Sequence, residues 1–248
     1  MINMFKKTRH FFQRLFSGYY NLLLILLSLL LIFRPHGADI VHLAIWQLLL
    51  TCTLLSAVFN ANHPRKMKIF VSILSIPTVI LCWANLVHPL GLVFIGNIAF
   101  IIIFMTICSA SVISDVILRA RVSVETLRGV VSAYFMVALL FAYIYYLIEF
   151  INPNSFLLPH LTTGIFSYAE DLSQLLYFSF ITLLTIGYGD IVPTQVHSQT
   201  AVIIEGIIGQ FYIAILVARI VSVYTYFIDL KTNKKNTPPK KKQLPSRN

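Results

Sequence analysis

Apolar residues fall along this chain in long blocks rather than singly. The blocks at 19–33, 40–59, 69–87, 92–117, 129–150 and 199–227 reach or approach the roughly 20 residues that cross a hydrocarbon core. The first is short, and Phe11, Phe12, Leu15 and Phe16 are placed to lengthen it. The fifth and sixth are rich in aromatic residues. They are still predicted helical, because only a helix or a closed barrel satisfies its backbone within lipid. The long stretch between them, 151–198, is not uniformly polar. Its run LSQLLYFSFITLL, 172–184, is apolar but too short to cross a bilayer, which predicts a re-entrant segment. Asp171 and Gln174 have the D-x-x-Q spacing of a capping box, which predicts that a helix begins at Asp171. The pattern therefore predicts an all-α integral membrane protein of six transmembrane helices, with a re-entrant helix between the fifth and sixth.

Charge gives the orientation. Lys and Arg collect in cytoplasmic loops. Lys6, Lys7, Arg9 and Arg14 precede the first block. Arg65, Lys66 and Lys68 follow the second, and Arg119, Arg121 and Arg128 follow the fourth. Lys231, Lys234, Lys235, Lys240, Lys241, Lys242 and Arg247 lie in the tail, and the opposite loops offer only Arg34. Both termini are thus predicted cytoplasmic. The basic start followed by an apolar run resembles a secretory signal, but no small-residue cleavage site precedes Arg34-Pro35-His36, so the segment is read as a retained helix.

Composition agrees and excludes some partners. The chain is 58% hydrophobic and only 11% charged, against about 25% in soluble domains. Its net charge of +10 does not indicate nucleic acid, because the basic residues sit at segment ends and in a tail rather than on a folded face. The tail, 229–248, reads as disordered and basic. Attraction to anionic lipid headgroups and simple cytoplasmic retention explain it equally well. Cys52, Cys82 and Cys108 lie in apolar runs without metal-ligand spacing and read as small buried hydrophobes.

One stretch breaks the apolar pattern: Thr185-Ile186-Gly187-Tyr188-Gly189-Asp190, directly after the re-entrant run. Glycine reaches backbone conformations closed to other residues. Alternation around Gly187 and Gly189 can turn successive carbonyls to one side, and such a row replaces the water shell of a cation. Non-helical backbone at membrane depth is tolerated only where protein buries it or it lines a watery path. These residues therefore predict a carbonyl-lined cation path.

The hexad TIGYGD resembles the selectivity filter of potassium channels. The resemblance runs over roughly 126–227: ETLRGVVSAYFMVALLFAYIYYLIEF is similar to the outer helix of prokaryotic members, and EGIIGQFYIAILVARIV to the inner helix. It implies that the carbonyls of Thr185, Ile186, Gly187 and Tyr188, with the Thr185 hydroxyl, hold potassium ions. It implies that Tyr188 braces the filter from behind. Asp190 anchors the outer mouth through a partner near Tyr177 on the pore helix, which also carries Asp171, Gln174, Thr182 and Leu184. Gly209 matches a hinge glycine, although Gly206-x-x-Gly209 also suits close helix packing. Helical spacing from Gln210 puts Ile213, Val217 and Val221 on the cavity and gate. One filter strand cannot enclose an ion, so a homotetramer in a prokaryotic inner (plasma) membrane is expected. Potassium ions are its permeant species and no cofactor is needed. Two departures stand out: Leu184 replaces a second threonine, and Ile181 stands where some relatives place a carboxylate behind the filter.

Six spans invite a voltage sensor, which needs several charges on the fourth. Residues 92–114 contain no Lys or Arg, so no strong intrinsic sensor is expected. The chain divides into 1–118, a four-helix membrane domain; 119–128, a cytoplasmic linker; 129–228, the pore domain; and the tail. Glu205, inside the sixth span, is read either as a gating carboxylate or as one bonded to a neighbouring tyrosine such as Tyr134 or Tyr143. Glu149, Glu170, Asp171 and Asp190 are expected at the outer mouth, where they raise local cation concentration. His160 and His197 lie there too, as solvated loop residues or as proton sensors. The competing readings are a weakly selective cation pore and a non-conducting membrane scaffold. An enzyme is disfavoured: the chain has no H-E-x-x-H, no nucleotide loop and no nucleophile–base set.

Overall fold

The computed structural model describes residues 20–34, 40–60, 65–87, 91–118, 124–159 and 167–236. Its helices are α1 (Asn21–Ile32), α2 (Ile40–Asn60), α3 (Arg65–Val87), α4 (Gly91–Leu118), α5 (Val124–Ile151), α6 (Ser167–Leu183) and α7 (Val196–Asn236). Four of these, α2, α4, α5 and α7, contain windows long and apolar enough to cross a membrane. The apolar parts of α1 and α3, Asn21–Ile32 and Lys68–Ala84, are shorter. Residues 11–16, expected to lengthen the first span, lie outside the described residues, as do the N-terminal basic cluster, Arg119, Arg121, His160 and 237–248.

The helices pack in chain order: α1 on α2, α2 on α3, α3 on α4 and α4 on α5. The end of the series closes back, because α1 also packs on α5. That approach is tight: a Cβ on Gly129 would stand 3.0 Å from the Tyr20 ring. Between α4 and α5, Phe94 meets Tyr146 edge-on at 5.8 Å. Helix α5 is thus shared. Its other side carries α6 and α7, through Phe135 on Phe180 and Tyr134 on Tyr212.

Two expected boundaries move. Helix α6 begins at Ser167, so Asp171 is a buried residue within the helix rather than its cap. Glu170 supplies the first-turn carboxylate that favours the positive helix start. Helix α5 begins at Val124, inside the expected linker 119–128, and an Arg128–Glu125 pair at 2.9 Å spans its first turn. The chain is also not purely helical. Strand β1 (Phe156–Leu157) pairs antiparallel with β2 (Val192–Pro193). Extended chain leaving the hexad needs partners for its backbone, and the segment after α5 provides them.

Candidate functional site

Helix α6 runs directly into the hexad, and the joint follows a recognisable helix-ending pattern. The Ile186 N–H donates to the Ile181 carbonyl at 2.9 Å, and the Thr185 N–H to the Thr182 carbonyl at 2.9 Å. This pair of bonds is the Schellman motif, which requires a left-handed residue at the first position past the cap. Glycine usually takes that place, but here it is Thr185, with φ 57°. A β-branched residue in that region is strained, and such strain concentrates at functional sites. The Leu184 N–H donates to the Phe180 carbonyl, and the Tyr134 hydroxyl donates to the Leu183 carbonyl at 2.7 Å. All four carbonyls that end α6 are therefore satisfied.

The left-handed conformation recurs in alternation, at glycines that adopt it without strain. Thr185, Gly187 and Gly189 have φ of 57°, 55° and 77°, while Ile186 and Tyr188 are not in that region. Alternating left- and right-handed residues face successive N–H groups one way and so carbonyls the other. Among the described residues, no donor reaches the carbonyls of Thr185, Ile186, Gly187 or Tyr188. Leu184 and the whole hexad are exposed in the single chain. Tyr188 is 70% exposed, so its own chain does not brace it.

The outer end is held by side chains. The Tyr177 hydroxyl donates to Asp190 Oδ2 at 2.8 Å, while Asp190 Oδ1 accepts the Ile191 N–H at 3.1 Å. The bond to Asp190 holds the Tyr177 phenol above its ordinary titration range. Beyond it, the β1–β2 pair is fastened by the Ser198 hydroxyl on the Ser155 carbonyl at 2.7 Å. Glu149, expected among the mouth charges, instead accepts the N–H groups of Asn154 and Phe156 at 2.7 and 2.9 Å and closes the turn after α5. His197 is exposed.

Behind α6 lies a polar knot in which Glu205 bonds to a tyrosine of α5, as one reading of the sequence expected, though to a different one. Glu205 of α7 is fully buried, with Tyr145 of α5 on one carboxyl oxygen and Ser179 of α6 on the other. The Ser179 oxygen also lies 2.8 Å from the Ala138 carbonyl, so its single proton is shared between two acceptors. The partner is thus neither Tyr134 nor Tyr143. Tyr134 is engaged with Leu183. The signal that was available is that a phenol buried in the membrane needs a partner, and α5 carries several.

Gly209 packs against the end of α6: a Cβ there would stand 2.8 Å from Leu183 Cδ2, whereas one on Gly206 meets nothing. Gln210, Ile213, Val217 and Val221 are exposed in the single chain, whereas Glu205 and Gly209 are buried. Thr182 is half-buried near the end of α6, and Gln174 lies one turn before Tyr177.

Residues 133–226, which hold every one of these elements from Tyr134 to Val221, match the family described as ion channel. Protein LctB of Bacillus caldotenax is 33% identical over 101 residues, covering 41% of this chain and 74% of that protein. The chain belongs to the ion channel family. No solved structure gives a significant match. The family points to ion transport across a membrane. Among the described residues, no group of His, Cys, Asp and Glu is arranged to hold a metal.

Proposed function

We propose that this channel is potassium-selective: a homotetramer with six spans per subunit, both termini in the cytoplasm of the cell, and a filter formed by Thr185–Asp190. Helix α6 is the re-entrant pore helix. Ions pass the carbonyls of Thr185, Ile186, Gly187 and Tyr188, then a cavity and gate lined by Gln210, Ile213, Val217 and Val221. The carrying observation is the alternating φ at Thr185, Gly187 and Gly189, with four carbonyls left unpaired between them. An unpaired carbonyl row at membrane depth is costly unless an ion or water takes it up.

Exposure supports the tetramer. Tyr188 and a broad apolar surface on α7, including Ile203, Ile207, Phe211 and Val217, have no cover within one chain. Neighbouring subunits and lipid supply it. The absence of Lys and Arg from residues 92–114 supports gating by something other than intrinsic voltage sensing.

The test is ion flux from liposomes holding the purified protein, first with a potassium gradient and then with a sodium gradient. Potassium flux well above sodium flux is expected. Gly187→Ala abolishes it. A Cβ on Gly187 meets no atom within 4 Å, so the substitution acts through φ +55° alone, at about 1–2 kcal/mol per subunit. Equal potassium and sodium fluxes would overturn selectivity.

A further inference from the structure

Arg34 is the basic residue that breaks the charge rule: it lies on the side where the other loops between spans carry no Lys or Arg. It follows the end of α1, and its guanidinium sits over the Tyr177 ring, 5.8 Å from the centroid. That ring belongs to the phenol that holds Asp190. A cleft of about 400 Å³ between α1 and α6 is lined by Ile32, Arg34, Glu170, Ser173 and Gln174. Residues 170, 173, 174 and 177 recur at the three- and four-residue spacing of one helix face. The outer end of α1 thus faces one stripe of the pore helix across this cleft, and Arg34 bridges to it at Tyr177.

We infer that Arg34 is a positioning residue for the filter: seated on Tyr177, it couples the N-terminal helices to the outer mouth by setting how firmly Tyr177 holds Asp190. This rests on the reading of 185–190 as a filter. The chemistry is direct. A guanidinium is planar and stacks on an aromatic face, which fixes the plane of the ring. A cation over that face also draws electron density from the phenol and makes its O–H a stronger donor to the Asp190 carboxylate. Asp190 has one oxygen on Tyr177 and the other on the Ile191 amide, so loosening the ring loosens the last residue of the hexad. The four N-terminal helices, which carry no charge array of a voltage sensor, thereby gain a mechanical role: a shift of α1 relative to α5 reaches the filter from the outside.

The experiment uses the full chain in liposomes, with two readouts on the wild type, Arg34→Gln, Arg34→Lys, Tyr177→Phe and Arg34→Gln/Tyr177→Phe. The first readout is the decay of potassium flux after a gradient is applied. The second is amide hydrogen exchange of 186–191 compared with 200–215 in α7, which needs no conduction. Arg34→Gln is expected to speed both flux decay and exchange in 186–191 by about two- to fivefold, without change in 200–215. Arg34→Lys, which keeps the charge but not the plane, falls between. On the Tyr177→Phe background, Arg34→Gln adds nothing. Wild-type flux with neither readout changed by Arg34→Gln overturns the inference, as does an Arg34→Gln effect that adds to that of Tyr177→Phe or that loosens 200–215 equally. If the wild type passes no potassium but Arg34→Gln still loosens 186–191, the channel reading fails and the coupling stands.

Discussion

The two halves of this molecule are built from the same apolar helices but are held in register differently. In the N-terminal half, side-chain hydroxyls mostly turn back on their own helix: Ser28 to Leu24, Thr53 to Leu49, Thr78 to Leu74, Thr106 to Ile102. Bonds between its helices include the Trp83 indole on Thr51 at 3.2 Å and the Cys82 thiol on Asn97 at 3.3 Å. In the pore half the bonds cross. Tyr134 reaches Leu183, Tyr212 reaches the Val130 carbonyl at 2.6 Å, Ser179 reaches Ala138, and Glu205 gathers α5, α6 and α7 at one point. Apolar packing in lipid is tolerant of small shifts, because lipid tails are as apolar as leucine. Directional bonds are not. The half that carries the unpaired carbonyl row of 185–188 is the half that uses them.

Breaking the knot at Glu205 is the severest test of that contrast. Glu205→Ala leaves the Tyr145 hydroxyl buried without its acceptor and frees α7 from α6. The expected loss is about 2–4 kcal/mol of stability, read as a lowered thermal unfolding midpoint of the purified protein, with potassium flux lost. Glu205→Gln retains the shape and one acceptor oxygen, and should lose less than half as much. If Glu205→Ala unfolds no earlier than the wild type, cross-helix bonding is not what holds the pore half together.

Gly209 sharpens the comparison within one helix. Gly209→Ala forces a methyl to 2.8 Å from Leu183 Cδ2, at the residue that ends α6. Overpacking there costs about 1–3 kcal/mol. Gly206→Ala, three residues away, meets nothing in its own chain and should be neutral or stabilising by about 0.5–1 kcal/mol, as for a glycine inside a helix. Thermal midpoints of the two variants give the difference directly. Equal effects would show that the Leu183 side chain gives way to the added methyl at little cost.

The sequence made these halves unequally legible. Lipid forces helices, so apolar blocks locate α1 to α5 and α7 well, but hydropathy is blind to polar helix ends. That is why α5 was expected from 129 and begins at Val124, and why α6 was expected from Asp171 and begins at Ser167. The hexad was legible because Gly187 and Gly189 announce unusual backbone. The left-handed Thr185 was not, since nothing in a threonine signals it and only the Schellman bonds demand it. The partner of Glu205 was missed for a geometric reason. Tyr134 and Tyr145 are 11 residues apart on α5, about three full turns. Both therefore face the same side, and only depth decides that Tyr134 meets Leu183 and Tyr145 meets Glu205. The sequence also suggests that a carboxylate behind the filter is absent, because Ile181 fills that place. The buried carboxylate of α7, Glu205, meets α6 at Ser179, two residues earlier and on a different side of the helix from Ile181.

The smallest expected effect lies in the N-terminal half. Thr51→Val keeps the shape of the side chain but removes the acceptor of the Trp83 indole and the hydroxyl's bond to the Gln47 carbonyl. Cross-helix polar bonds within membranes average about 0.6 kcal/mol, and this one joins α2 to α3, far along the chain from α6. The thermal midpoint should shift barely, and potassium flux should not change at all. A marked loss of flux from Thr51→Val would mean that α2 and α3 are held in register as tightly as the pore helices, and that this register reaches the filter. The route open to it runs from α2 to α1, and from the end of α1 through Arg34 to Tyr177. Flux changed by Arg34→Gln but not by Thr51→Val would confine the coupling to the outer end of α1 and leave the rest of the N-terminal bundle as apolar support.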